Sequence, residues 1–459
     1  MKKLTSILLA GAVLASAASC SSSKRSESIQ PTTNEQGKKI VRIAYIDSDY
    51  ETVGALKQSL PHFNFNKEHT AEIDYYTFDA ETETENAACN WLTNDILSGK
   101  VPDLIAASPT VIERFYKNGY LTDLAELMED YGGIQKSDLL DNVLEGITMD
   151  DGTIPGIFKR FELETSIVNS NYTDIDASSW TLDRAMKEYD SLDDKSHFIY
   201  SMNPLSEDMN YFLKGAVMSC FDYKTNEFHP SDDLAEVLGF VADMKNYESE
   251  YEFNWYFHTD DLITGEAMIN FLRIYGINGW YAQEAVMKFD GAPVQLIGYP
   301  TADGGKPYAI IPSMYAIPSK AANKEGAWEF ICNLLSEEEQ RLQNISNSVS
   351  EGFPVIKSVI QPLLDESPAG GKSLNNEKIG SFRQGADEDP NYVKPTVTDE
   401  KKQQFVDYFT GVELYPYKSK EVEDIIMEEF QAVINGERTP EQCIEILSDR
   451  IGTYLAERE

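Results

Sequence analysis

The chain has 459 residues, with 77 aspartates and glutamates against 39 lysines and arginines, for a formal charge of −38. That length exceeds one ordinary core, so two or three lobes are expected, and 42% apolar with 11% aromatic residues excludes a disordered chain. So negative a surface repels phosphate backbones and anionic lipid, which excludes a nucleic-acid partner and a peripheral membrane face; the acidity itself reads as solubility.

Lys2 and Lys3 precede an apolar run from Ile7 to Ala18 that ends in small residues and Cys20. This is the layout of a secretory signal over residues 1–19, and the run is too short to span a bilayer. Ala17-Ala18-Ser19-Cys20 resembles a lipoprotein processing box, with Ala17 where Leu is usual. The resemblance implies a diacylglycerol thioether on Cys20 and a protein anchored outside the cytoplasmic membrane, at the cell surface. Ordinary cleavage after Ala15-Ser16-Ala17 is the alternative. Loss of Lys2 and Lys3 takes the net charge to −40. Residues 20–39 are polar, without apolar period, and read as a tether with an r.m.s. span of about 25 Å.

Val41 to Ile46 is a nearly continuous apolar run of strand length, as for a strand buried on both faces. An acidic loop with Asp47 and Asp49 follows, then a helical segment and a second strand, AEIDYYTFD. Ala88, Trp91, Leu92 and Ile96 trace a helical face closed by Gly99, and PDLIAAS supplies a third strand. Alternating strands and helices predict right-handed crossovers and a mainly parallel sheet. Ligands of such sheets sit beyond the carboxyl ends of the strands, which puts Tyr45, Asp47, Asp49, Ala107 and Ser108 on the ligand side of the first lobe.

Val111, Ile112, Phe115 and Tyr116 predict a short helix, and GTIPGIFKRFELETSIVN an extended segment. Helices are expected over 182–189, 208–219 and 234–247. Asn323 is placed to cap a helix whose apolar face is Ala327, Phe330, Ile331, Leu334 and Leu335. Ser336 with Glu339 has capping-box spacing. Residues 363–398 read as a long loop or insertion. Val422, Ile425, Ile426, Phe430 and Val433 form one further helix, and Thr439-Pro440 with Gln442 opens the last.

Cys20, Cys89, Cys220, Cys332 and Cys443 show neither CxxC spacing nor a zinc-like arrangement with the five histidines, so no metal and no cofactor are expected, and the last four read as unpaired thiols. The chain lacks GxSxG, HExxH, P-loop, GxGxxG and EF-hand patterns. Asp47 with Asp49, or Glu162 with Glu164, are the carboxylate pairs a glycosidase would need, but 77 acids produce close pairs by chance.

Four stretches in register resemble one family. SGKVPDLIAAS with FYKNGYLTDLAELM, DGTIPGIF, the run from GINGWY through Tyr299-Pro300 and KPYAIIPSMYAI to AWEFICNLLSEEEQ, and VINGERTPEQCIEIL are similar to the bacterial extracellular solute-binding proteins of carbohydrate ABC importers. The resemblance implies an α/β fold of the type II periplasmic-binding-protein kind, two lobes with mainly parallel sheets joined by crossover strands. The lobes would be 40–154 with 306–353 and 155–305 with 354–459. It implies a monomer that binds a sugar or oligosaccharide between the lobes and hands it to the permease subunits, with no reaction catalysed. A non-sugar solute such as a polyamine or peptide, a sensor for a membrane kinase, and a cell-surface glycosidase are the alternatives.

Sugars present flat C–H faces and dense hydroxyls, so their sites combine aromatic plates with carboxylates, amides and guanidinium groups. By resemblance Trp280, on the Gly-rich turn, faces ligand. Tyr281, Trp255, Tyr256, Phe161, Glu162, Arg273, Asn278 and Tyr315 are further candidates beside Asp47, Asp49 and Ser108. Trp91 and Trp328 are assigned to cores.

Overall fold

The computed structural model describes residues 33–46, 52–76, 85–169, 172, 174–199, 204–231, 233–246, 267–277, 279–280, 295–345, 352–366, 398–417 and 420–456. Cys20, the 47–50 loop and most of the 363–398 segment lie outside them. The chain divides into two compact units, Met1–Ala107 with Lys320–Ala327, and Ser108–Ser319 with Trp328–Glu459.

In the first unit β1 (Lys39–Tyr45) runs parallel to β2 (His69–Tyr75) and to β3 (Leu104–Ala107), with Ile43 opposite both Ile73 and Leu104. The helices α1 (Thr52–Asn66) and α2 (Glu85–Leu97) supply the crossovers that parallel neighbours require. Val41, Ile43 and Ala44 are wholly buried, as are Ala88 and Leu92 of α2. Trp91, expected in the core, is half-buried. The chain leaves α2 through Gly99 at φ +89°, a conformation glycine adopts without steric cost. Asp103 ties the sheet together: one carboxylate oxygen accepts from the Arg42 amide at 3.0 Å and the other from the Asn323 amide at 2.8 Å. The Asn323 side chain accepts from the Gly326 amide at 3.1 Å, the expected helix cap.

The second unit is built on β4 (Arg160–Val168), the extended segment seen in the sequence. Its partners are Ile269–Ile274, Gln295–Leu296, Tyr308–Ile310 and Phe353–Pro354, and all four run antiparallel to it. The mainly parallel pattern is thus that of the first unit; around β4, strands from distant parts of the chain pair without successive βαβ crossovers. Against this sheet pack helices Leu182–Ser191, Pro204–Cys220, Leu234–Asp243, Lys420–Ile434 and Pro440–Ala456. Their shared core holds Trp180, Tyr189, Phe198 and Phe212, the last two stacked at 5.5 Å. Thr439 and Gln442 make the reciprocal capping box, at 3.0 and 3.3 Å. Cys89, Cys220 and Cys443 are buried and Cys332 half-buried, and none of the four is in a disulfide.

Candidate functional site

Among the described residues that the sequence singles out, the structure joins two. Arg273 Nε donates to Glu162 at 2.6 Å, with the carboxylate buried and the guanidinium partly exposed. Glu164, the other half of the imagined carboxylate pair, accepts from the Tyr299 hydroxyl at 3.1 Å. Ser108 caps helix α3 (Pro109–Lys117). Phe161 is buried and stacked on Phe353 at 5.3 Å, and Tyr315 is buried beside Ile157. Trp280 is 1% exposed, its ring lying 3.9 Å from that of Phe405 with planes 6° apart. That face of the indole is covered by protein, which corrects the reading of Trp280 as an open plate. Tyr281, Trp255, Tyr256, Asn278, Asp47 and Asp49 lie outside the described residues.

Two cavities of the second unit combine aromatic rings with carboxylates and amides. Both form against the loop Gly411–Tyr417. Helix Asp399–Thr410, capped by Thr398, leads into that loop, and helix Lys420–Ile434 follows it. Asn142 fixes its start, donating from Nδ2 to the carbonyls of Phe409 and Val412 at 3.1 and 3.0 Å. The first is a carbonyl that a helix C-terminus leaves without an intrahelical partner, and the second belongs to the loop itself. Gly146 lets the loop approach: a Cβ there would lie 2.7 Å from the Leu414 carbonyl oxygen.

Facing the loop is the turn after Phe221–Asp222, where the Asp222 carboxylate accepts from the amides of Lys224 and Thr225 at 2.8 and 3.1 Å. This presents Tyr223, whose ring stacks on Tyr415 at 5.6 Å and 23° and meets Tyr308 edge-on at 6.0 Å. Lys214 holds Tyr308 in turn, its ammonium 3.3 Å from the ring centroid while it pairs with Glu423. Tyr223, Gly411, Val412, Glu413 and Tyr415 line both cavities, so the tyrosine pair forms their common wall.

The first cavity, about 820 Å³, adds Tyr417, Asn142, Asn226, Glu113, Glu145 and Asp150; the second, about 760 Å³, adds Tyr308, Tyr408, Asp407, His229 and Lys306. Each volume is that of a small-molecule site. Tyr415 donates to Glu413 at 2.6 Å. Burial, and after it the nearby carboxylates, pushes the Tyr223, Tyr415 and Tyr417 phenols above their ordinary range. They keep their protons, and the site offers flat rings, hydroxyl donors, amides and carboxylates together. None of the described sequence candidates lines either cavity. The signal was present in FDYKTNEF and ELYPY, where aromatics alternate with carboxylates and amides in turn-forming sequence.

The fold is that of type II periplasmic binding proteins. The sugar-binding protein MalE from the phytopathogen Xanthomonas citri superposes with TM-score 0.56 at 15% identity, covering 92% of this chain and 98% of that one. Maltose-bound MalE3 of T. maritima gives 0.54 at 15%, covering 90% and 100%. An ABC substrate-binding protein from Listeria monocytogenes in complex with cycloalternan gives 0.53 at 16%, covering 91% and 99%. The family pattern described as bacterial extracellular solute-binding protein matches residues 51–341, and the chain belongs to that family. No match is found among curated protein sequences.

Proposed function

We propose that this chain is the sugar-binding component of an ABC importer. It takes up a sugar or oligosaccharide outside the cytoplasm and passes it unchanged to the permease subunits. The observation that carries the reading is the tyrosine wall of Tyr223 and Tyr415 set among carboxylates and amides, in a member of a solute-binding family. Ring faces stack on the C–H face of a pyranose, and acceptors and amides take its hydroxyls. Two cavities sharing that wall suit a ligand of more than one ring. The structural relatives whose names mention sugars support the ligand class. The protein works as a monomer held at the membrane by a lipid on Cys20, and binding favours whichever conformation the sugar contacts better.

The test is a thermal-shift screen of the chain against mono- and oligosaccharides, followed by calorimetry on the hits. Tyr415→Ala is expected to weaken the best ligand about tenfold, as for loss of one aromatic anchor. Sugars incubated with the protein are expected back intact. A panel in which no sugar raises the melting temperature, or in which a glycan is hydrolysed, overturns the reading.

A further inference from the structure

Lys214 and Glu423 line neither cavity, yet they join the two helices beside which the tyrosine wall is built. Tyr223 lies just past the end of helix Pro204–Cys220, which holds Lys214, and Tyr415 just before the start of helix Lys420–Ile434, which holds Glu423. The Lys214 ammonium reaches Glu423 at 2.7 Å and stands 3.3 Å from the centroid of the Tyr308 ring. The Tyr308 hydroxyl donates to the same carboxylate, at 3.2 and 3.1 Å from its two oxygens. Three contacts thus close a triangle, and both charged side chains are largely withdrawn from water, at 21% and 12% exposed. A cation over a ring face is attracted by the ring quadrupole, the more so when it is shielded from water. The Tyr308 ring can neither tilt about its hydroxyl nor slide from under the ammonium without losing one of the three. That ring lines the second cavity and meets Tyr223 edge-on, and Tyr223 stacks on Tyr415.

Resting on the sugar-binding reading above, we propose that Lys214 is a positioning residue for the sugar: without touching it, the ammonium fixes Tyr308, and through Tyr308 the angle at which the Tyr223–Tyr415 pair is presented. A wall held at one angle before binding loses less conformational freedom when a pyranose stacks on it, so the rigidity appears as affinity. A lysine that served only to hold the two helices together would matter to stability and not to affinity once the fold is kept.

Calorimetry on the full chain with maltotriose, cellotriose and xylotriose tests it, or with the panel sugar that most raises the melting temperature if none of the three binds. Lys214→Met keeps the stem and removes the charge, and is expected to weaken binding about fivefold, within the range for residues that touch no ligand. It also leaves a shielded carboxylate without this cation, so its melting temperature falls as well. Lys214→Met with Glu423→Gln removes both charges and leaves an amide oxygen to accept from Tyr308; it is expected to melt close to the wild type and still to bind about fivefold more weakly. Lys214→Arg, whose guanidinium can lie on the ring and pair with Glu423, is expected to bind within about twofold of the wild type. A double variant that does not fold or that binds as the wild type does, or an arginine variant as weak as the methionine one, overturns this inference and leaves the sugar reading intact. If no sugar binds the wild-type chain, the sugar reading falls and this inference with it.

Discussion

The indole of Trp280 lies flat on the ring of Phe405, centroids 3.9 Å apart and planes 6° from parallel. Phe405 belongs to helix Asp399–Thr410, and beyond it Phe409 stacks on Phe353 at 4.8 Å, which stacks on Phe161. The five rings form one buried column from the Gly-rich turn to β4. Removing a ring from its middle leaves a cavity between two rigid faces that cannot both close on it. Phe405→Ala is expected to lower unfolding stability by about 3–5 kcal/mol. Guanidinium titration followed by tryptophan fluorescence checks it; a loss under about 1 kcal/mol, the level of an unburied contact, would mean the column does not exist in solution.

The parts of the fold governed by local rules were legible. The apolar run 41–46, the Asn323 cap and the Thr439–Gln442 box each follow from neighbouring residues, and each appears where the pattern puts it. The candidate site was not legible, for a related reason. Trp280 on a glycine turn looks like a free plate until Phe405, far along the chain, covers it. Tyr415 looks like an ordinary loop residue until Tyr223 stacks on it. Aromatic pairing across long separations leaves no periodicity, and a cavity wall made from two turns has no motif. Residue type alone marks Glu162 and Arg273 singly; their pairing across β4 and Ile269–Ile274 appears only once the register is fixed.

Gly326 sits where the helix after Asn323 meets the first sheet. A Cβ there would come within 2.7 Å of His69 Cδ2 and of Asn323 Nδ2, and within 2.8 Å of Val41 Cγ2. Val41 is wholly buried in β1 and cannot swing clear. Although alanine is the better helix former, overpacking outweighs the propensity gain of about 1 kcal/mol. Gly326→Ala is expected to destabilise by about 1–3 kcal/mol, read as a lower denaturation midpoint with an unchanged slope. A stabilised variant would show that the helix can move away from the sheet.

Lys159 and Glu339 form a buried ion pair at 3.3 Å. Burial lowers the lysine to about 8 from 10.5, in spite of the opposing carboxylate. The folded state therefore releases this proton more readily than the unfolded chain does. Between pH 8 and 10.5 the unfolded state holds more protons, and the contribution of this group to stability rises with pH across that window. Removing the carboxylate while keeping the shape leaves a costly buried charge. Glu339→Gln is expected to cost about 3–5 kcal/mol at neutral pH. Much of that loss is recovered at pH 9 to 10, where the lysine is neutral. Urea titrations at the two pH values check it, and an equal loss at both would show that Lys159 stays charged.

The phenols of the second unit act in the opposite direction. Tyr211 donates to the Gly298 carbonyl at 2.6 Å, Tyr299 to Glu164 at 3.1 Å, and Tyr308 to Glu423 at 3.1 Å. Burial raises all three, and Tyr408 with them, above the ordinary tyrosine value. For Tyr299 and Tyr308 the neighbouring carboxylate adds to the rise, because ionisation would set two negative charges side by side. The folded state thus keeps protons that the unfolded chain gives up at about pH 10. Stability from these groups is complete below pH 10 and falls steadily as the pH climbs toward their folded values. Cooperative unfolding in alkali is expected, with tyrosinate absorbance from this set appearing in step with the loss of helical circular dichroism. Tyr299→Phe removes one such group and its hydrogen bond to Glu164; it should reduce stability at neutral pH by about 1 kcal/mol and flatten the alkaline decline. A tyrosinate signal that is complete while the dichroism is still native would show these hydroxyls to be open to solvent.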